Sequence, residues 1–272
     1  FQDTPELMDP LTEEELKDPQ AILARMREAG IVGMGGAMFP TALKIQGGIG
    51  KVDTLIINGA ECEPYLNGDH LTMLNFPEQL LRGIELARIA QGVEKAYYGI
   101  EKNKQDAIDL LNSLNPAQYG IEIVPEEVKY PQGGEKMQVK AVTNREVKPG
   151  GLPSGVGCNV VSTRTAYAIY QACYEGKSCI ERIVTFAGSA LKAPVNGLTR
   201  VGTPFSHIVE ECGGFVKPCR KIVLGGPMMG ITVPGTTAPI LKNTNAILAL
   251  TKKETKLPKT TNCIRCGACL NT

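Results

Sequence analysis

No apolar run in this 272-residue sequence approaches the roughly 18 residues of a membrane span, and no secretory pattern opens it. Neither sign of charge is in excess. With 29 Lys and Arg against 28 Asp and Glu, the formal charge is +1, which gives no electrostatic case for nucleic acid or an anionic membrane surface as partner. Histidine is scarce, two in all, so the lone His70 reads as a structural residue rather than a ligand. The two common nucleotide fingerprints are also missing. No GxxxxGK followed by Ser or Thr occurs, which excludes a P-loop. The Rossmann GxGxxG would need a glycine where Met38 stands, and it should follow a strand.

The chain does hold a dense glycine loop, GIVGMGGAMFPTALK, from Gly30 to Lys44. Pro19 to Ala29 ahead of it reads as a helix with Ile22, Leu23 and Met26 on one face and Gly30 as its stop. The loop therefore joins helix to helix. Gly33, Gly35 and Gly36 suit positive φ and close approach of a ligand to the backbone. Pro40 is expected at the first position of the next helix. Exposed N–H groups at such a helix start make a seat for phosphate, and Lys44 adds a charge one turn on.

The remaining pattern is alternating. Strands are expected at Asp53–Asn58, Lys95–Ile100 and Gly120–Val124, with helices at Pro77–Gly92, Lys104–Leu114 and Thr163–Tyr174. That alternation predicts a doubly wound α/β fold on a parallel sheet. Glu61 and Glu63 follow the first strand, where they either line a ligand crevice or cap the next helix. Asp69 and His70 are placed in the same loop. A second glycine turn, Tyr130 to Lys136, opens a helix at Gly134-Glu135. Residues 146–158 form a long proline- and glycine-rich loop. From Gly176 the order becomes strand, strand, helix, strand, strand, which fits a small α+β module of the β-grasp kind. Its GGPMMG loop, residues 225–230, carries no chemistry that spacing alone assigns. Residues 1–18, acidic and proline-punctuated, read as a tail or linker with a capped turn at LTEEEL.

Cys263, Cys266 and Cys269 form C-x2-C-x2-C, which matches the start of the bacterial ferredoxin run, whose fourth cysteine would fall one residue after Thr272. Nine cysteines without an export signal point to a reducing compartment, and the other six are expected in the core.

Taken jointly, GMGGAMFPTALK, LIINGAECEPY (55–65), YPQGGEK (130–136), GGPMMG and CIRCGAC (263–269) resemble the C subunit of the Rnf electron-transport complex, a relative of the flavin-binding subunit of respiratory complex I. The resemblance implies a Rossmann-like α/β flavin/NADH-binding domain over 19–176. A β-grasp (SLBB-type) domain would follow over 177–252, then the truncated start of a 4Fe-4S ferredoxin domain over 253–272. It implies FMN and NAD(H) as cofactors, with hydride passing to the flavin and single electrons to 4Fe-4S clusters. On that carry-over Gly33, Gly35, Gly36 and Lys44 hold the FMN phosphate and Asn58 touches the flavin. Phe39 stacks on adenine, and Glu63 and Glu135 line the nicotinamide pocket. Glu61, Gly134 and Thr165 complete the cofactor set, and Cys263, Cys266 and Cys269 the cluster ligands. Partners would be the other subunits of an Rnf-type membrane complex and ferredoxin-type carriers, with the chain on the cytoplasmic face of the cell membrane. Three positions depart from the complex I pattern: Met34 in place of an arginine, Ala60 in place of an acid, and Ser162 near an expected asparagine. The same motifs are compatible with a soluble relative serving a dedicated reductase, or with a non-catalytic electron-relay scaffold.

Overall fold

The computed structural model describes residues 7–257 and 260–270. Its organising strand is β1 (Thr54–Gly59), whose apolar run LII is fully buried. Burial on both faces is what such a run requires, and a parallel sheet supplies it. β1 pairs in parallel with β2 (Ala96–Glu101) on one side and β4 (Cys158–Ser162) on the other. β3 (Ile121–Glu126) extends the sheet beyond β2, giving the order β3-β2-β1-β4.

One face of this sheet is covered by α1 (Pro19–Glu28), α2 (Thr41–Gly48), α4 (Pro77–Gln91) and α7 (Thr163–Tyr174). Leu80, Leu81 and Ile84 of α4 meet Ile169 and Ala172 of α7 with no exposure. Each of these Leu and Ile side chains contributes about 1.5–3 kcal/mol of burial. Gly83 permits the contact, since a Cβ there would lie 2.0 Å from the Ala166 carbonyl oxygen. α6 (Glu135–Thr143) covers the other face, where Val139 packs on Ile56, Cys158 and Val160. α5 (Gln105–Ser113) is amphipathic, burying Ala107, Ile108 and Leu111.

The second sheet is mixed. β5 (Glu181–Ala187) and β9 (Ala246–Thr251) run parallel at its centre. β6 (Val195–Arg200) flanks β5, while β7 (Cys219–Leu224) and β8 (Ile231–Val233) flank β9, in the order β6-β5-β9-β7-β8. α8 (Phe205–Glu211) seats Phe205 against Val184, Phe186 and Ile247. The chain is thus α/β followed by α+β, as its pattern predicts.

Five local expectations change. The 146–158 loop runs directly into β4, a strand of only five residues that periodicity does not isolate from the preceding glycines. β8, three residues long, is likewise missing from the sequence reading. Asp69 and His70 lie not in a loop but in the first turn of α3 (Gly68–Asn75). Pro40 is the N-cap of α2 at ψ 119°, outside the helix rather than its first residue. Residues 7–18 are packed rather than trailing. Met8 N–H donates to the Gly176 carbonyl and Leu11 N–H to that of Cys173, each at 2.8 Å, and Leu16 is buried. The expected capped turn is present within them, with Thr12 and Glu15 exchanging hydrogen bonds.

Candidate functional site

The order β3-β2-β1-β4 reverses direction at β1, because the chain leaves β1 for β2 on one side and returns as β4 on the other. Open parallel sheets bind ligands outside the carboxyl ends of their strands at such a point. A cleft of about 570 Å3 opens there, within the range of about 300–1,000 Å3 typical of small-molecule sites. Asn58 and Ala60 at the end of β1 and Ser162 at the end of β4 line it, with Gly35 and Gly36 above and residues of the mixed-sheet module opposite. An adjoining recess of about 170 Å3 is lined by Gly33, Phe39, Thr41, Lys44, Glu135 and Thr165.

Helix starts surround that recess. Thr41 begins α2, Glu135 begins α6, and Ser162 is the N-cap of α7. Each helix start presents positive potential, so three together favour an anion. The glycine loop is fixed around them. Met34 N–H donates to the Thr165 hydroxyl at 2.9 Å, Thr165 bonds Ser162 Oγ at 2.8 Å, and Gly33 N–H closes onto the Phe39 carbonyl at 2.8 Å. The N–H groups of Gly35, Gly36 and Ala37 make no hydrogen bond among the described residues. Gly36, at φ +133°, has open space where a side chain would stand. Thr41 Oγ1 is a buried hydroxyl with no partner. Unpaired donors, an orphan hydroxyl and room beside glycine are what a phosphate-bearing ligand needs, and the recess fits one.

The predicted site residues are brought together, but several are already engaged. Lys44 forms an ion pair with Glu135 across the recess. Asn58 Nδ2 donates to the Gly133 carbonyl at 2.8 Å, while its Oδ1 accepts from Ala60 N–H at 3.2 Å, tying β1 to the second glycine turn. Gly134 is the N-cap of α6. Phe39 is 54% exposed at the lip of the recess. Glu61 takes both readings that the sequence leaves open. It lines the cleft, and its carboxylate caps α3 by accepting from the N–H groups of Asp69 (3.0 Å) and His70 (3.2 Å). Burial, helped by Asp69, pushes Glu61 above the usual carboxylate range despite those bonds and Arg164. Glu63 accepts from Met228 N–H at 3.0 Å and Met229 N–H at 2.8 Å, so it joins the two modules. His70 is structural in its contacts, paired with Asp106 at 2.8 Å.

Sequence reasoning missed the cations beneath the site. Arg164, at the start of α7, lines the cleft and holds Asp69 through Nε at 2.6 Å with both side chains buried. Arg182 of β5, 2% exposed, donates to the Met34 carbonyl at 3.3 Å and also binds the Lys242 carbonyl and Asn245 Oδ1. Burial, with Arg164 nearby, lowers it to about 9, still a cation at neutral pH. Lys242 donates to the Gly30 carbonyl at 2.7 Å and Asn243 to that of Gly36 at 3.3 Å. The mixed-sheet module therefore grips the glycine loop by three carbonyls, which leaves the loop's N–H groups for a ligand. An arginine at the start of a helix was the one signal available for Arg164.

The cysteine run lies on the surface. Cys263, Cys266 and Cys269 are exposed, and Arg265 N–H donates to Cys263 Sγ at 3.4 Å. Among the described residues no three His, Cys, Asp or Glu converge to hold a metal. Three thiols of C-x2-C-x2-C spacing are present, an incomplete set for a 4Fe-4S cluster. No helix among the described residues is long and apolar enough to cross a membrane.

A family model described as the Nuo51 FMN-binding domain matches residues 26–171, which contain the glycine loop, β1 to β4 and most of α7. The chain belongs to this family. Relatives of this Nuo51-type chain include the C subunit of the Na+-translocating ferredoxin:NAD+ oxidoreductase complex of Acetobacterium woodii, 42% identical over 93% of this chain and 57% of its own length. The C subunit of the proton-translocating ferredoxin:NAD+ oxidoreductase complex of Clostridium ljungdahlii is 44% identical over 92% of this chain and 54% of its own. The chain thus spans about half the length of the curated relatives it matches. Among solved structures, a chain of the NAD+-reducing NiFe-hydrogenase in its H2-reduced state shares the fold at TM-score 0.74. It is 21% identical and covers 86% of this chain and 47% of that one.

Proposed function

We propose that this chain binds FMN and NAD(H) in the cleft at the ends of β1 and β4, as the flavin-bearing part of an oxidoreductase subunit in an Rnf-type complex. The observation that carries the reading is the recess, with three helix starts, unpaired N–H groups on Gly35, Gly36 and Ala37, and Lys44 at its wall. Those groups would hold the flavin's phosphate, and Thr165 would keep the glycine loop in register beneath it. Asn58 and Gly133 would set the floor under the ring, while the second module would wall the far side. FMN held there would supply two-electron hydride chemistry towards NADH and one-electron chemistry towards an acceptor. The residues present need supply no acid or base for that; they bind, orient and shield.

On this reading the partners are the other subunits of a membrane-associated complex and its iron–sulfur and ferredoxin-type carriers, and the chain sits peripherally on the cytoplasmic side. Support comes from the relatives, which are named as C subunits of ion-translocating ferredoxin:NAD+ oxidoreductase complexes. The test is titration of the 272-residue chain into FMN, followed by quenching of flavin fluorescence, then anaerobic NADH. Saturable quenching followed by bleaching of the flavin is expected. Quenching without bleaching would move the search to another electron donor, and no quenching would refute the flavin site.

A further inference from the structure

The GGPMMG segment is built around one carboxylate. Consecutive N–H groups of Met228 and Met229 grasp the two oxygens of Glu63, which lies 165 positions earlier in the chain. Each glycine in the segment has a reason. Gly225 sits at φ +95°, in the left-handed region. A Cβ on Gly226 would stand 2.1 Å from Glu63 Oε2, and one on Gly230 would stand 2.4 Å from the Gly226 carbonyl. Such constraints hold the loop in a single shape against the ECEPY segment. What the loop then displays is apolar and uncovered. Met229 is 78% exposed and Ile231 is 63%, and both line the 570 Å3 cleft opposite Gly35, Gly36 and Asn58. A backbone latched this closely would not need methionine merely to make its turn. Asn243, from the same side of the cleft, ties to Gly36 and leaves its buried Oδ1 without a partner.

Extending the nucleotide-binding reading above, on which this rests, we propose that the 225–230 loop is a working wall of the cleft, latched by Glu63, and that Met229 covers the planar ring of the bound nucleotide. A thioether suits that task, because sulfur makes favourable contacts with aromatic rings and its unbranched stem adapts to their position. Glu63 is then a positioning residue, acting through the loop rather than on the ligand.

Three variants of the chain, Met229→Ala, Glu63→Gln and Leu152→Ala, test this. Dissociation constants are read with FMN alone and with NADH in the presence of FMN, and amide hydrogen exchange is followed at Met228 and Met229. Met229 is too exposed for its truncation to unfold the chain. Met229→Ala is expected to weaken FMN or NADH by about three- to tenfold. Leu152→Ala, exposed and outside the cleft, is expected to change neither. Glu63→Gln is expected to speed exchange at Met228 and Met229 even without ligand, and to weaken the same nucleotide as Met229→Ala. If the wild-type chain binds FMN and Met229→Ala binds both nucleotides equally well, the wall is refuted while the nucleotide site stands. Unchanged exchange in Glu63→Gln refutes the latch. If the wild-type chain binds neither nucleotide, the site itself fails and the wall with it.

Discussion

Lys44 and Glu135 make opposite demands on the recess, which gives the sharpest test of what it binds. They form an ion pair, yet the Lys44 side chain is 27% exposed and that of Glu135 is 47%. A pair this open is worth at most about 1 kcal/mol. A charge-assisted contact between Lys44 and a phosphate dianion is worth about 1.5–3 kcal/mol. A phosphate bound in the recess would therefore win the lysine, at the expense of the carboxylate left beside it. Lys44→Ala should weaken FMN by about 10- to 100-fold. It should leave riboflavin, which lacks the phosphate, within about twofold. Glu135→Gln frees the lysine and removes a repelling charge, so FMN should bind about two- to fivefold tighter, and less so as salt is raised. Flavin fluorescence quenching with both ligands reads all of these constants. Equal losses for FMN and riboflavin in Lys44→Ala would refute the assignment of the phosphate to this recess. So would a Glu135→Gln variant that binds FMN more weakly.

Two predictions concern the frame around the cleft. Asp69→Ala removes the buried partner of Arg164 and leaves that guanidinium against the Ile183 carbonyl alone. A loss of about 3–5 kcal/mol is expected in urea unfolding, against little change for a substitution at an exposed acid such as Glu122. Glu254 gives a pH signature. Burial would raise its carboxyl, but hydrogen bonds from Ser189 and Thr251 outweigh that and hold it at about 2, below the ordinary 4.5. A depressed folded pKa stabilises above the unfolded value and loses that contribution as pH falls from 4.5 toward 2. After solvent screening the contribution is on the order of 1 kcal/mol. Thermal unfolding of Glu254→Gln should trail the wild type at neutral pH, close part of the gap below pH 4.5 and converge with it only near about pH 2; a gap that stays constant from neutral pH down to that point would refute the account.

The parallel sheet was legible because its strands are continuous apolar runs bounded by turn residues, and α4 because Leu80, Leu81 and Ile84 repeat at helical spacing. The glycine loop was legible for a different reason. Four glycines between two helices have few uses other than positive φ and an accessible backbone, as at Gly30 and Gly36. β4 was hidden by the proline- and glycine-rich loop that runs straight into it, and β8 by its length, since three residues carry no period. α3 was hidden because its start is capped from outside, by Glu61, while Asn67 at its own N-cap position makes no side-chain capping bond. The charges beneath the loop were hidden by distance. Nothing near Arg182 in sequence marks it as the donor to Met34, 148 positions away.

That same distance explains how the ECEPY segment misleads a reading by composition. Two carboxylates at a strand end look like groups waiting for a ligand, but each is met by a pair of backbone N–H groups. Glu61 receives the head of α3, and Glu63 receives the loop of the second module. Cys62 Sγ accepts from Gly133 N–H at 3.3 Å, and the Tyr65 hydroxyl reaches Glu254 at 3.4 Å. Four of five residues in one short segment thus join four different parts of the chain. A carboxylate satisfied by two N–H donors has little left for a hydride donor, but it fixes the walls between which such a donor must lie. Binding selectivity would then sit in what the joined parts display, the N–H groups of Gly35 to Ala37 on one wall and Met229 on the other. Charge in the acidic segment should matter for the cleft's shape before it matters for its chemistry. A Glu63→Asp variant keeps the charge and shortens the reach. It should therefore loosen the 225–230 loop as Glu63→Gln does, and a loop that stayed protected from exchange would show that charge alone holds it.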